Sequence, residues 1–250
     1  MERRLYISID DTDIIGSPGT GRMARNLTDY LVEKNFGRPL GVTRHQLLVD
    51  RRIPYTSHNS SLCTGLMTDE PISSFFKPCA DFLTANFREG SDPGLCICHP
   101  EDITETMVRF GQRAQKEVLT KNEAETLARA SGIFLTELGG TGGGIIGSLT
   151  GVALRQEGMS GRYVDLPGIR DIKGIVSVAD LLSRTDIDSV QTVEGELLEG
   201  SVLIDSRDWV RPSLVTGKPV LVVRKVRSEN GQDVWTSVEM REREKANKQS

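Results

Sequence analysis

The sequence has little of several features that mark particular classes of protein. Its 250 residues include four cysteines, too few to cross-link a chain of this length, so we expect reduced thiols and a cytoplasmic location. The net charge of −4 shows none of the positive excess that is typical of duplex-binding proteins. No run approaches the ~20 apolar residues of a membrane span, and the start, "MERRLYISID", lacks the apolar middle of a signal peptide. The composition predicts an ordinary soluble protein without a membrane partner.

The order of the predicted elements indicates an α/β fold, α+β in detail, with a mixed sheet and flanking helices. "RLYISID" alternates like a strand, and a glycine-containing loop joins it to the helical pattern of "GTGRMARNLTDYLVEKNF". "RHQLLVDRR", residues 44–52, predicts a second strand. After about residue 175 the pattern changes to short β-like runs, including a hairpin whose turn is "ENGQ". We therefore predict a core over residues 1–175 and a small β-rich region with a charged tail over 176–250.

The first motif with chemical potential is "IDDTD", in which Asp10, Asp11, Thr12 and Asp13 end the first strand. Neighbouring strand residues point to opposite sides, so Asp10 and Asp11 cannot both enter a core, but at a strand end both reach one cleft. Carboxylates this close repel each other, and Mg²⁺ bound by carboxylates and substrate phosphates relieves the repulsion. The loop with Gly19 and Gly21 then offers backbone N–H groups to an anion. The alternative is an ordinary strand-end turn.

The second motif is a glycine-rich turn, "GGTGGG", at residues 139–144, which precedes an apolar helix. Glycine permits positive φ and a close approach of the backbone, and such turns before helices bind phosphates. The turn lacks the lysine of a P-loop and is not a clean dinucleotide fingerprint. Its candidate phosphate-binding residues are Gly140, Thr141, Gly142, Gly143 and Gly144. A flexible hairpin or close helix packing is the alternative.

Three further segments have weaker patterns. In "RRIPYTSHNSS", the candidates for binding a phosphate, a base or a carboxylate are Arg51, Arg52, His58 and Asn59. The alternative is a solvated turn. Arg44 is a further candidate, for charge stabilisation. "LCICH" places Cys96 and Cys98 on one face, but without C-x₂-C spacing we interpret them as buried thiols. "DSRDWVRPSL" holds Arg207, Trp209 and Arg211, which either flank an anion, stack on a base or form the rim of a β-turn.

Three of these motifs, in this order, resemble the kinase domain of archaeal tRNA-isoleucine agmatinylcytidine synthetase. They are "IDDTD" with its glycine loop and a threonine before a helix, "IPYTSHNS", and "GGTGGGIIGSLTGVAL", and the resemblance spans roughly residues 5–175. That family uses ATP to activate a cytidine carbonyl oxygen in tRNA, after which agmatine displaces the phosphate.

The resemblance implies roles for residues at the matching positions. Asp10, Asp11 and Asp13 correspond to the residues at Mg²⁺ and ATP, and Thr20 to a threonine that the family phosphorylates. Asn59 and the glycines of the turn also match. The family carries an OB domain and a zinc ribbon after its core, whereas about 75 residues follow the core here, without a C-x₂-C pair, so we expect neither domain in this sequence. Thr141 and Gly143 stand where the family tends to place Asn and Arg. We therefore expect a stand-alone relative that performs Mg-ATP-dependent phosphoryl transfer or ligation on a different acceptor. The alternatives are nucleotide or small-molecule binding without catalysis, and tRNA modification with a partner protein.

Overall fold

The computed structural model describes residues 1–56, 58–227 and 233–238. The first strand, β1 (Arg3–Asp10), is the middle one of five adjacent antiparallel strands of a sheet. The strand order is β5-β4-β1-β3-β2. β2 is Arg38–Gln46, β3 is Ser60–Thr68, β4 is Gly94–Cys98 and β5 is Phe134–Glu137. Asp10 at the end of β1 lies opposite Gly94 at the start of β4. This register brings the loop before β4 to the acidic end of β1.

Helices cover both faces of this sheet. They are α1 (Thr20–Glu33), α2 (Ser73–Asn86), α3 (Glu105–Ala114), α4 (Lys121–Ala130) and α5 (Gly144–Glu157). On β3, Cys63 packs in a cluster with residues of α3, α4 and α5, whereas the hydroxyl of the next residue, Thr64, lies 2.9 Å from that of Thr28 in α1. Neighbouring strand residues point to opposite faces, so α1 lies on the face away from α5. Helix α5 is buried along most of its length.

The described chain divides into two units, residues 1–157 and 158–250. The second is β-rich, as predicted. Its path of strands is β6-β11-β12-β13-β10-β7, and β8 pairs with β12 and with β9. The bounds are β6 Arg162–Asp165, β7 Ile175–Ser177, α6 Val178–Arg184, β8 Ser189–Thr192, β9 Leu197–Leu198, β10 Leu203–Asp205, β11 Ser213–Val215, β12 Lys218–Arg227 and β13 Asp233–Ser237.

The predicted fold class is confirmed, because parallel and antiparallel pairs both occur. The parallel pairs, β10 with β13 and β8 with β12, lie in the second unit. Strands β12 and β13 pair antiparallel as the predicted hairpin requires, but its turn, "ENGQ", lies outside the described residues, as does the charged tail. The predicted domain boundary, with a core over residues 1–175 and a second region over 176–250, stays a prediction. Within the described chain, no helix combines the length and apolar character needed to cross a membrane.

The second strand was predicted wrongly. The pattern indicated residues 44–52, but β2 is Arg38–Gln46, and residues 47–50 have no regular structure. Pro39 and Gly41, which has φ +82°, disguise the strand in the sequence because both residue types are rare in strand interiors. The structure accommodates them with a shift of register between Pro39 and Val42.

Candidate active site

Two carboxylates stand at the end of β1 with raised pKa values. Asp10 faces α5, where a Cβ on Gly147 would overlap its carboxylate, so only glycine permits this approach of the helix. Burial, and then the charge of Asp11, raises the pKa of Asp10 well above its usual range. Burial, followed by the charges of Asp92 and Asp13, raises the pKa of Asp11 to about 6. Asp11 has φ +52°, a left-handed conformation that turns the chain out of the strand.

Asp13 connects the acidic end of β1 to two other segments. Its Oδ1 accepts hydrogen bonds from the hydroxyl of Thr20, at 2.7 Å, and from the Thr20 amide, at 3.2 Å. This satisfies an amide at the start of α1 that has no partner within the helix. Its Oδ2 accepts a bond of 2.9 Å from Thr56 in the Ile-Pro loop. Buried Thr12 donates to the Thr20 hydroxyl at 3.1 Å. Thr12 and Asp13 of the acidic motif therefore form one hydrogen-bonded group with Thr56 and with Thr20, the predicted phospho-acceptor.

The glycine-rich turn meets the acidic motif through Asp92. The Asp92 carboxylate accepts hydrogen bonds from the hydroxyl and amide of Thr141 and from the amide of Gly143, while the Asp92 amide donates to the carboxylate of Asp11. Burial raises the pKa of Asp92, but the hydrogen bonds from Thr141 and Gly143 and the charge of Lys121 outweigh it, and the pKa lies below its usual value. Two motifs that are distant in the sequence are thus joined at one place.

The contact with Asp92 uses some, but not all, of the backbone N–H donors of the glycine-rich turn. Gly140 and Gly142 have φ +63° and +78°, as the glycine pattern predicted. The Gly144 amide donates 3.0 Å to the carbonyl of Asp92. Among the described residues, none accepts a hydrogen bond from the amides of Gly140 and Gly142. These two donors therefore remain for an anion, while those of Thr141, Gly143 and Gly144 hold Asp92 in place.

A cation stands beside the turn although the turn itself contains none. Lys121, the first residue of α4, donates to the Glu137 carboxylate and, at 3.3 Å, to the carbonyl of Thr141. The hydrogen bond to Glu137 is the main reason that the pKa of Lys121 lies above its usual value. Lys121 is 20 positions from Thr141 in the sequence, and the motif gives no signal for it. Lys121 is consequently a further candidate for contact with a phosphate.

The candidate acceptor residues in the Ile-Pro loop differ in exposure and in hydrogen bonding. Arg51 and His58 are exposed. Arg52 binds Asp50 with two hydrogen bonds, and these bonds lower the pKa of Asp50 to about 2. Asn59 donates to the carbonyl of Leu48 at 2.6 Å, which gives it a structural role in the loop. The structure places this loop at the site through Thr56, a residue that the sequence pattern did not single out.

The structure gives the other candidates the following positions and contacts. Arg44 donates to the hydroxyl of Ser60 at 2.9 Å. Cys96 and Cys98 are fully buried free thiols, as interpreted from the sequence, and Cys63 and Cys79 are buried as well. Gly19 precedes α1 and Gly21 lies in its first turn, beside the Asp13–Thr20 pair. Arg207, Trp209 and Arg211 belong to the second unit.

The carboxylates of the site can bind Mg²⁺ only if a substrate supplies further ligands. In the part of the chain that the structure describes, no group of three or more His, Cys, Asp and Glu side chains converges enough to hold a metal ion by itself. Asp10 and Asp11 form no ion pair with a described lysine or arginine, so no described cation neutralises a charge on them. Mg²⁺ bound by one or two carboxylates, with phosphate oxygens and water completing its shell, is compatible with both observations.

Comparison with known proteins then identified the fold. No family model matches the sequence. Over 155 residues the chain is 24% identical to TiaS of Pyrococcus horikoshii, the 2-agmatinylcytidine synthetase of an isoleucine tRNA, a match that covers 59% of this chain and 35% of TiaS. Apo TiaS superimposes with a TM-score of 0.51 at 21% identity, over 60% of this chain and 35% of TiaS. The complex of TiaS with its isoleucine tRNA and ATP gives 0.52 at 22% identity, over 60% and 36%.

About 60% of the chain shares its fold with part of TiaS. A structure of a tRNA fluorescent labeling enzyme agrees, with a TM-score of 0.51, 24% identity and coverage of 60% of this chain and 36% of that enzyme. The resemblance inferred from the three motifs is thereby confirmed. The covered share is close to that of the first unit, 157 of 250 residues. The chain spans about a third of the length of TiaS.

Proposed function

We propose that the first unit binds Mg-ATP and performs phosphoryl transfer, either as the final reaction or to activate an acceptor for ligation. The observation that supports this most is the contact of the acidic motif with the glycine-rich turn through Asp92. Buried carboxylates without a basic partner, beside backbone donors, suit a metal–phosphate complex. Crystal structures of TiaS complexes contain ATP, and others AMPCPP and agmatine, in a protein of the same fold.

In this proposal Asp10, Asp11 and Asp13 provide the ligands for Mg²⁺, with Asp92 as a neighbouring carboxylate. Mg²⁺ would neutralise charge on the phosphate oxygens. The amides of Gly140 and Gly142, with Lys121, contact the phosphates, and Thr141, Gly143 and Gly144 hold the turn in shape. Catalysis of this type depends mainly on positioning and charge stabilisation. The γ-phosphoryl group forms a bond to an acceptor oxygen, the bond to ADP breaks, and ADP leaves with its electron pair.

Thr20 is either a phosphate contact or a phospho-acceptor. Its hydroxyl donates to Asp13, which is the geometry of a hydroxyl activated by a carboxylate base. Arg51 and His58, both exposed, are the proposed contacts of the acceptor. Thr12, Gly19 and Gly21 are proposed to contact the phosphates of ATP instead. Arg52 contributes only after its bonds to Asp50 are released, and Asn59 acts through the shape of the loop.

Calorimetric titration of the full chain with ATP, with and without Mg²⁺, tests the proposal. We expect Mg²⁺-dependent binding that is weakened at least about tenfold in Asp11→Asn, because a hydrogen bond or ligand from a charged group is lost. Asparagine tolerates the left-handed backbone of position 11 well, so the variant is expected to fold. The matched control is Asp81→Asn, an exposed carboxylate paired with Lys77 on α2. Equal Mg²⁺-dependent affinity in both variants would refute the assignment.

A second candidate function is nucleotide binding without turnover. It is favoured by the engagement of the Thr141, Gly143 and Gly144 amides with Asp92, since these donors would otherwise bind phosphate. Release of ADP in the presence of amines, nucleosides and tRNA separates the two candidates. Turnover with tRNA alone would identify tRNA as the acceptor, in line with the complexes of TiaS with tRNA. Binding without ADP release across this panel would favour the non-catalytic function.

A further inference from the structure

Helix α5 and strand β1 contact each other in matching steps. Three positions of the helix, four residues apart and so on one side of it, lie against three alternate positions on one face of the strand. They are Gly147, Gly151 and Arg155 on α5, and Asp10, Ser8 and Tyr6 on β1. Four helical residues advance about 6 Å and two strand residues about 6.6 Å, so the two series stay in register.

The first two steps bring the helix close to the strand, and the third is of a different kind. A Cβ on Gly147 or on Gly151 would overlap the strand side chain that it faces. Because glycine has no side chain, these two contacts permit a close approach but supply no directional side-chain bond. At the third step, the guanidinium carbon of Arg155 lies 5.6 Å from the centroid of the Tyr6 ring. The directional contact is therefore at the C-terminal end of the series.

Arg155 is buried and bonds to two further strands of the sheet. Its Nη2 donates to the carbonyl of Leu40 at 2.9 Å, and its Nη1 donates to the hydroxyl of Thr43 at 3.0 Å, both on β2. Nη1 also donates to the carbonyl of Cys63 on β3 at 3.4 Å. Since a guanidinium is planar and its donors form a rigid fork, these bonds fix the position and the orientation of the end of α5.

The sheet is irregular where it receives this side chain. Leu40 and Gly41 lie at the register shift of β2, where the ladder is interrupted, and Arg155 donates to both of their carbonyls. On β3, a Cβ at Gly65 would lie 2.9 Å from Nη2 of Arg155, so a side chain at this position would displace the guanidinium. A bulge and an interior glycine both weaken a strand, and here both make room for one arginine.

We propose that Arg155 is a positioning residue for the candidate active site. By fixing the end of α5 to the sheet, it sets how far the helix lies along β1, and so where the glycine-rich turn lies relative to Asp10 and Asp11. Arg155 follows Gly144 by 11 positions, about 16 Å along the helix, and acts on the site through the helix. The effect on nucleotide binding rests on the function proposed for the first unit, whereas the effect on the helix does not.

Amide hydrogen exchange of the full chain without ligands, followed by NMR, tests the effect on the helix. The Gly144 amide donates to the carbonyl of Asp92 at 3.0 Å and so joins the start of α5 to the site. In Arg155→Gln the carbonyls of Leu40 and Gly41 lose the guanidinium. We expect the Gly144 amide to exchange at least about tenfold faster in this variant, whereas a purely local role would affect only amides near Arg155.

Phe75→Leu is the matched control for a general loss of stability. Phe75 is fully buried in α2 beside Phe36, and it is not part of the described cluster of buried residues that contains α5. Faster exchange at Gly144 that follows only from lower overall stability would appear in this variant too. Gly65→Ala repeats the test if Arg155→Gln does not fold, because its Cβ displaces the guanidinium from the other side of the contact.

Calorimetric titration of the same variants with Mg-ATP measures the consequence at the site. We expect Arg155→Gln and Gly65→Ala to bind about tenfold more weakly than the parent, and Phe75→Leu to bind with parental affinity. Faster Gly144 exchange in Arg155→Gln alone, with no ATP binding even by the parent, would support the positioning role and count against the proposed function.

Three results would overturn the inference. They are an unchanged exchange of the Gly144 amide in Arg155→Gln, an equal acceleration in Phe75→Leu, and parental ATP affinity in Arg155→Gln when the parent chain binds ATP.

Discussion

At the scale of single residues, Asp11 combines three properties that are costly in a folded chain. It is partly buried, it lies near Asp92 and Asp13, and its backbone is left-handed. No described basic side chain offsets these charges by an ion pair. A carboxyl group in such a place destabilises the folded chain when it is ionised, and a bound cation would remove that effect.

The pH dependence of stability tests this description. The pKa of Asp11 is about 6 in the folded chain against 3.8 ordinarily, so the folded state holds more protons between these values. The free energy of unfolding should therefore fall as pH rises through this window and stay reduced above it. Asp11→Asn removes this contribution, and we expect it to be more stable than the parent at about pH 7 and similar near pH 4.

Urea unfolding at both pH values, without metal, provides the measurement. Asp81→Asn should retain the pH dependence of the parent chain, because Asp81 is exposed and paired with Lys77. Addition of Mg²⁺ and ATP should stabilise the parent and not Asp11→Asn. A variant that is less stable than the parent at neutral pH would show that the hydrogen bond from the Asp92 amide outweighs burial and charge repulsion at Asp11.

The sequence indicated Asp10, Asp11, Asp13 and Thr20 as neighbours because they are close along the chain. Asp92 gave no such signal: it stands alone between Ser91 and Pro93. It reaches Asp11 only because β4 begins opposite the end of β1. Contacts that depend on strand pairing between distant segments are not contained in local patterns, and Lys121 was missed for the same reason.

At the scale of elements, α5 owes its position to glycines that serve two different purposes. Gly140 and Gly142, in the turn before it, need positive φ. Gly147 and Gly151, within the helix, have ordinary helical conformations but lie against Asp10 and Ser8, where a Cβ would overlap the side chains. The sequence predicted the turn from its composition. Close helix packing was only the alternative interpretation of this motif, and the residues that α5 meets on β1 could not be predicted, because that contact is a tertiary feature.

A pair of alanine substitutions distinguishes the close approach from simple helix propensity. Gly147→Ala is expected to destabilise the chain by about 1–3 kcal/mol, because the new methyl group displaces the Asp10 carboxylate. Gly21→Ala, also in a helix, meets nothing nearer than Leu62 Cδ1 at 4.0 Å. It should stabilise the chain by about 0.5–1 kcal/mol through a lower entropy of the unfolded state.

Denaturant unfolding of the two variants and the parent chain measures both changes in the free energy of unfolding. Gly147→Ala should in addition weaken Mg²⁺-dependent ATP binding, since Asp10 moves, whereas the control Asp81→Asn should bind with nearly parental affinity. If Gly147→Ala were as stable as Gly21→Ala, the helix would have room to shift away from β1 and the packing argument would be wrong.

At the scale of the whole molecule, each unit contains its own hydrophobic core. One cluster of buried side chains joins β1, β3 and β4 to α3, α4 and α5, and a second joins strands of the second unit to α6. The fold class followed from the alternation of strand and helix patterns and from the β-rich sequence after residue 175. The strand order did not, because β1 pairs with β3 and β4, which are distant from it in the sequence, and β3 lies between β1 and β2, the next strand along the chain.

The distribution of two residue types allows the stability of each unit to be measured separately. All four cysteines, Cys63, Cys79, Cys96 and Cys98, are buried in the first unit, and both tryptophans, Trp209 and Trp235, belong to the second. Burial raises the pKa of Cys63 to about 12 and that of Cys79 to about 12, so these thiols react slowly until their unit opens.

Units with separate cores are expected to unfold as separate cooperative transitions. In a urea titration, thiol reactivity would report the first unit and tryptophan emission the second. Gly147→Ala should then lower the urea midpoint of the thiol transition and leave that of the tryptophan transition unchanged, while Gly21→Ala raises the former only. If both midpoints moved together in both variants, the chain would unfold as one cooperative body.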